Sequence, residues 1–295
     1  VIISFQYFNG ARIEVSLLIR LAIGLLFAVF GLFNYFVNVT DNPITGEKQR
    51  VQLSPQQEMV IGQQSANQMT QQHGGLYPDR DLQNYVSSVG NKVLSKSVAS
   101  QAPYEFDFYL LRDPQTINAF ALPGGQVFIT AALLSRLNSE AQLAGVLGHE
   151  IGHVVARHGA EHLAKQQLGA AIVNGVTIAA SDNPDSARQT AVLARAVNQM
   201  VNLKYGREDE LESDRLGVRF MTEAGYSPKG LVELMQILKE ASGDRQQAEF
   251  FSTHPNPENR IEQLIGVIEA KYPQGIPGNL QEGKTTFSQV VAPRL

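Results

Sequence analysis

Residues 143–159 read LAGVLGHEIGHVVARHG, and no other stretch constrains the fold as tightly. Its Leu, Val, Ile and Gly residues belong to a buried helix. Yet it carries His149, Glu150 and His153, groups that are costly to bury without partners. On a helix, residues four apart lie one turn above each other, so both imidazoles can hold one ion. Metal ligation removes the burial cost. The pattern H-E-x-x-H also places a carboxylate beside the ion, where Glu150 can take a proton from metal-activated water attacking a carbonyl.

Zinc suits two histidines best when a third protein ligand completes the set and one position stays open. The extended metzincin pattern requires Gly at 156 and His at 159, but the chain has Ala156 and Gly159. At 100° per residue, His158 and His162 project from the far side of a continuing helix and are not expected as ligands. The third ligand is therefore sought in REDELESDRLG. There Glu210 and Asp214 are four apart on one helical face, the glutamate as ligand and the aspartate accepting an imidazole N–H. Glu208 and Glu212 are competing choices, and a solvated acidic face is the alternative.

The flanking pattern predicts a mainly helical α+β fold. Ser139 and Gln142 form a capping box before the metal helix. Helices are expected over 54–73, 79–99, 160–180, 186–224, 228–242 and 259–272. Strands are expected at 104–111 and on both sides of the Pro-Gly-Gly turn in INAFALPGGQVFIT (117–130), giving one small sheet. Residues 41–53 read as a linker, 54–272 as the catalytic domain and 273–295 as an irregular tail.

Residues 21–39 run without a charge, about 28 Å as a helix, enough to cross a bilayer. A cleaved signal peptide is the alternative, but FNYFVNV puts large residues where cleavage would fall. Residues 1–40 are thus read as an anchor. Arg12 and Arg20 before the span tilt the orientation towards an extracytoplasmic catalytic part, on the bacterial periplasmic side. The net charge of −4 gives no basic excess to bind nucleic acid, and the absence of cysteine excludes thiolate ligands and nucleophiles.

In NAFALPGG, LAGVLGHEIGHVVARHG, REDELESDRLG and STHPNPENRI, in that order over residues 118–261, the chain resembles the gluzincin peptidases. That group includes the CAAX prenyl, HtpX, mitochondrial Oma-type and periplasmic BepA-type proteases. Ser213 stands where the family usually has Ala, and Gly206 where Ser is common. The single span resembles the Oma and BepA branch. The resemblance implies a zincin-like domain with one zinc on His149, His153 and Glu210, Glu150 as general base and Asp214 as partner of a ligating imidazole. It implies that NAFALPGG pairs with substrate backbone, Asn118 and Ala119 lying nearest the cleft. His254 is left open as fourth ligand, oxyanion donor or turn residue; Arg207 and Arg260 are not selected. Misfolded or misassembled envelope proteins as substrates follow from the resemblance alone. A zinc-containing chaperone or assembly scaffold, using the apolar stretch 168–180 to bind partners or cover a blocked cleft, is the competing reading.

Overall fold

The computed structural model describes residues 6–180, 204–243, 250–255 and 259–295. Helix α1 (Gln6–Val37) contains the uncharged run. Its candidate span is Leu17–Val37 rather than 21–39, because Val39 enters strand β1 (Val39–Asp41). Leu18, Leu25, Leu26, Phe30 and Phe33 are uncovered on it. An apolar helix so exposed is long enough to cross a membrane.

Residues 41–53 are not a plain linker. β1 pairs antiparallel with β2 (Lys48–Arg50), and the hairpin seats Asn42 and Gln49 in the interior. Asn42 Oδ1 accepts from the backbone of Ile44 and Thr45, while its Nδ2 donates to the carbonyl of Val155 at 2.7 Å. Gln49 Nε2 donates to the carbonyl of Ala156. These are carbonyls at the C-terminal end of the metal helix, which has no partners of its own for them.

Helix α2 (Pro55–Gln72) starts at the capping box of Ser54 and Gln57. Helix α3 (Arg80–Ser95) buries Leu82, Val86, Val89 and Val93, a stripe at helical spacing. Strands β3 (Asp107–Leu111), β4 (Ala119–Ala121) and β5 (Gln126–Thr130) form a sheet in the order β3-β5-β4. β3 runs parallel and β4 antiparallel to the central β5. The turn between β4 and β5 uses Gly124 and Gly125 at φ of 90° and 113°, backbone that favours glycine. A second, two-stranded sheet, β1–β2, was not anticipated. The short helix α4 (Ala131–Leu134) follows β5.

Helix α5 (Glu140–Val155) carries HExxH and is buried along nearly its whole length. It packs against α3, β4, α7 (Arg207–Glu223) and α8 (Lys229–Gly243). Where α5 crosses α7, Gly148 meets Gly217 and Gly152 meets Ser213. A Cβ on Gly152 would come within 3.2 Å of the Ser213 backbone, and one on Gly217 within 3.1 Å of His149 N. Small residues let the two backbones approach, which brings their polar side chains within bonding range.

The metal helix does not run on to Gly159. It ends at Val155, Arg157 takes φ of 57°, and α6 (His158–Ala180) starts afresh. The outer part of α6 lies along α1, with Ala171 against Gly31. Thus the stretch starting at 168 begins on the candidate span rather than over a cleft. Of the helix expected over 186–224, residues 207–223 are observed and 186–203 lie outside the described residues. Helices α9 (Phe250–Thr253) and α10 (Arg260–Lys271) follow. The tail from 273 is not irregular throughout. Its helix α11 (Lys284–Val291) buries Phe287 and Val291, and Glu282 accepts a backbone hydrogen bond from Ala141.

Candidate metal centre

The α5–α7 crossing assembles a buried polar cluster. His149 Nε2 and His153 Nε2 lie 3.1 Å apart. Glu210, from the first turn of α7, reaches both: Oε2 is 3.5 Å from His149 Nε2 and Oε1 is 3.4 Å from His153 Nε2. His254, just after α9, joins them with Nδ1 at 3.0 Å from Glu210 Oε1. One donor atom from each of these four residues falls within 4.8 Å of all the others. A tetrahedral ion with bonds of about 2.0–2.1 Å has ligand–ligand edges of about 3.3–3.4 Å. The His149–His153 spacing of 3.1 Å is close to such an edge, and each Nε2 has a Glu210 oxygen at 3.4–3.5 Å, Oε2 for His149 and Oε1 for His153.

Charge and unmet bonding point the same way. The cluster holds three carboxylates, Glu150, Glu210 and Asp214, with the guanidinium of Arg260 beside them. With all ionised, that leaves two negative charges, which a divalent cation would neutralise. Both carboxylate oxygens of Glu150 and Nε2 of His254 are buried without a hydrogen-bond partner among the described residues. Burial pushes the Glu150 carboxyl above the usual range, the direction a general base working near neutrality needs. Burial opposes ionisation of Glu210 too, but His254, His149 and His153 outweigh it and hold its pKa well down. Burial likewise works against ionised Asp214, and Arg260 beside it more than offsets this. The residues present fit a divalent metal.

The expected residues separate into two groups. His149, Glu150, His153, Glu210, Asp214 and His254 converge. Asp214 Oδ1 stands 2.9 Å from His149 Nδ1, on the side away from the cluster. Glu208 is exposed and Glu212 faces His158, so neither competes with Glu210. Ala119 is on edge strand β4 with Asn118 just before it, as the motif suggested. Both, however, are buried rather than open to a cleft. Asn118 Oδ1 has no partner there.

Three other residues belong to the site. Arg260, not selected from sequence, is 1% exposed and grips Asp214 through Nε at 2.7 Å and Nη2 at 2.8 Å. Its Nη1 lies 2.9 Å from Glu210 Oε2. An arginine followed by Ile in a helix is ordinary, and only its place in STHPNPENRI could have singled it out. Tyr205 stacks on His153 with ring centroids 3.9 Å apart, and Phe250 stacks on His254 at 4.4 Å. His158, expected on the far side of a continuing helix, is buried against His153 because the helix breaks at Arg157. Arg207 is exposed and takes no part.

The profile described as Peptidase family M48 matches residues 80–268, which contain α5, α7 and His254. The chain is 32% identical over 226 residues to a beta-barrel assembly-enhancing protease of Yersinia pestis, covering 74% of this chain and 45% of that protein. It is also 32% identical over 216 residues to the protein of that name from Escherichia coli (strain K12), covering 71% and 43%. The mitochondrial metalloendopeptidase OMA1 of Schizosaccharomyces pombe is 31% identical over 248 residues, covering 82% and 69%. The chain spans less than half the length of the bacterial relatives. With the profile covering well over half of it and the HExxH helix and its acidic partner helix inside the match, the chain belongs to peptidase family M48, a family of metal-dependent peptide hydrolases.

Proposed function

We propose that this chain is a membrane-anchored zinc endopeptidase that hydrolyses misfolded or misassembled proteins of a bacterial envelope. The observation that carries the reading is the unpartnered Glu150 carboxylate, buried beside the His149–His153–Glu210 group. A purely structural metal site has no use for a base next to its ligands. The names of the relatives, an assembly-enhancing protease and a mitochondrial metalloendopeptidase, support the substrate class.

In this mechanism His149, His153 and Glu210 would hold the zinc, which would supply an activated water and polarise the scissile carbonyl. Glu150 is placed as the general base that would accept a water proton and return it to the leaving amine. Asp214, held by Arg260, fixes the ring of His149 so that Nε2 faces inward. Asn118 and Ala119 lie at the edge strand that would pair with substrate backbone once they are uncovered. His254 faces Glu150, its Nε2 3.8 Å from Oε1, so that it is placed to bond the oxyanion once substrate enters. The exposed apolar face of α1 supports the anchor, with the catalytic part on the extracytoplasmic side.

A latent resting state is the second reading. His149, Glu150, Glu210 and His254 have no solvent exposure, and His254 closes the cluster as a fourth donor. The Phe250–His254 segment would then have to move before a polypeptide could enter. The full chain, purified in detergent, is expected to bind one zinc and cleave an unfolded protein. Glu150→Gln should keep the metal and lose about 10²–10⁴-fold in rate. Cleavage by this variant at the wild-type rate would sink the mechanism. His254→Ala should raise activity if latency holds, and unchanged or lower activity rejects it.

A further inference from the structure

The two histidines of HExxH are supported differently from behind. His149 has the Asp214 carboxylate at its outer nitrogen, neutralised by Arg260. Among the described residues His153 has no carboxylate there. Its outer nitrogen, Nδ1, lies 2.9 Å from Nδ1 of His158, which is 2% exposed. The opposite ring nitrogen of His158, Nε2, lies 3.1 Å from Glu212 Oε2, and Asp209 Oδ1 is more distant at 4.0 Å. Asp209 is engaged by His162 and by the backbone of Gly206, each at 2.7 Å. Ser213 Oγ is 3.3 Å from the same Nδ1 of His158.

We propose that His158, assisted by Ser213 and Glu212, is the positioning residue of the metal ligand His153. The inference rests on the zinc reading above and deepens it. Proton counting fixes the arrangement. If His153 gives its Nε2 lone pair to the metal, its proton sits on Nδ1. His158 Nδ1 must then accept, since two N–H groups cannot face each other at 2.9 Å. The proton of neutral His158 is therefore on Nε2, donated to the Glu212 carboxylate. Ser213, the residue that departs from the family's usual Ala, adds a hydroxyl donor to the accepting nitrogen.

The helix break makes this possible. Along an unbroken α5, residue 158 would lie about 140° around the axis from His153. The left-handed turn at Arg157 brings it back. That turn is anchored by Arg157 Nη2 on the Leu53 carbonyl at 2.7 Å and by an ion pair to the buried Glu58. His158 thus fixes the ring of His153 as Asp214 fixes that of His149, with a neutral imidazole in place of a carboxylate.

The test measures zinc affinity by chelator competition on the full chain in detergent, beginning with wild type. Wild type that takes up no zinc sinks the metal reading itself. With zinc bound, His158→Phe keeps the ring volume but loses the acceptor, and is expected to weaken zinc about 10–100-fold. His158→Asn places an amide oxygen where Nδ1 stood and is expected to stay within about 5-fold of wild type, because the acceptor is retained. Ser213→Ala, losing one weak donor, should change affinity less than His158→Phe does. A His158→Phe protein that binds zinc as tightly as wild type overturns the proposal. So does an Asn variant as weak as Phe, since that marks the side chain as packing only. If the Phe variant does not fold, nitrogen-15 spectra of the histidines in zinc-loaded wild type decide. His158 protonated on Nε2 supports the arrangement, and protonation on Nδ1 overturns it.

Discussion

Helices α1 and α5 are both rich in Leu, Val, Ile and Gly, yet they end in opposite surroundings. On α1, Leu25 is 65% exposed and Phe33 61%, whereas every residue of α5 after Glu140 is buried. Apolar content alone therefore does not say which medium a helix meets. What differs is the role of the small residues. On α5, Gly148 and Gly152 face the α7 backbone at Gly217 and Ser213, so the helices approach closely. Buried charge on the partner helix then has somewhere to go. On α1, Gly31 meets Ala171 while a broad apolar face stays open.

The sharpest way to break this contrast is to unpair the charge at the α5–α7 crossing. Arg260→Met leaves Asp214 and Glu210 buried without their guanidinium and should cost about 3–5 kcal/mol. Chemical denaturation in the presence and absence of zinc measures it. A loss below 1 kcal/mol would mean the cluster does not depend on that ion pair. Closing the approach itself comes next. Gly152→Val drives a side chain into Ser213 and should cost about 1–3 kcal/mol by overpacking, with weaker zinc binding. Stability and metal affinity both unchanged would show that the crossing is looser than 3.2 Å implies.

A partly covered carboxylate provides the middle test. Asp113, in the loop before β4, accepts from the backbone of Gln115 and Thr116 and from His73. Burial works to raise its pKa, but these bonds outweigh it and hold the value at about 2, against the usual 3.8. Its contribution is therefore full above pH 4 and is lost as pH falls through about 2. Asp113→Asn should cost about 2 kcal/mol at neutral pH and flatten the acid limb over that window. An unaltered acid limb in urea titrations would assign the loop's order to other contacts. The smallest expected effect lies on α1. Leu25→Ser should change the stability of the catalytic part by about 0.5 kcal/mol or less, since the side chain is already uncovered. It should instead lower partition into lipid vesicles, measured by flotation. A large loss of stability would make α1 part of the core.

The metal helix was legible because its chemistry is local. His149, Glu150 and His153 lie within five residues, and helical spacing fixes their common face. Glu210 could be narrowed to an acidic run, with the choice among Glu208, Glu210 and Glu212 resting on helical phase. His158 was misread for a physical reason. Its position depends on the left-handed turn at Arg157, held by Glu58 about a hundred residues earlier, and periodicity carries no trace of that anchor. The order in 41–53 was hidden likewise, because Asn42 and Gln49 bond carbonyls of residues 155 and 156. In the tail, Phe287 and Val291 were a helical signal four apart, outweighed by the Pro and Gly before them.

By itself the sequence determined the metal-binding helix, the uncharged span and the outline of a helical fold with one edge strand. Those features follow from spacing and composition along the chain. Only the tertiary structure decided that Arg260 holds Asp214, that His158 backs His153 and that His254 enters the cluster. Each depends on contacts between residues distant in sequence. Burial gives them their strength, because in a medium of low polarity an unpaired charge or lone pair is too costly to leave without a partner.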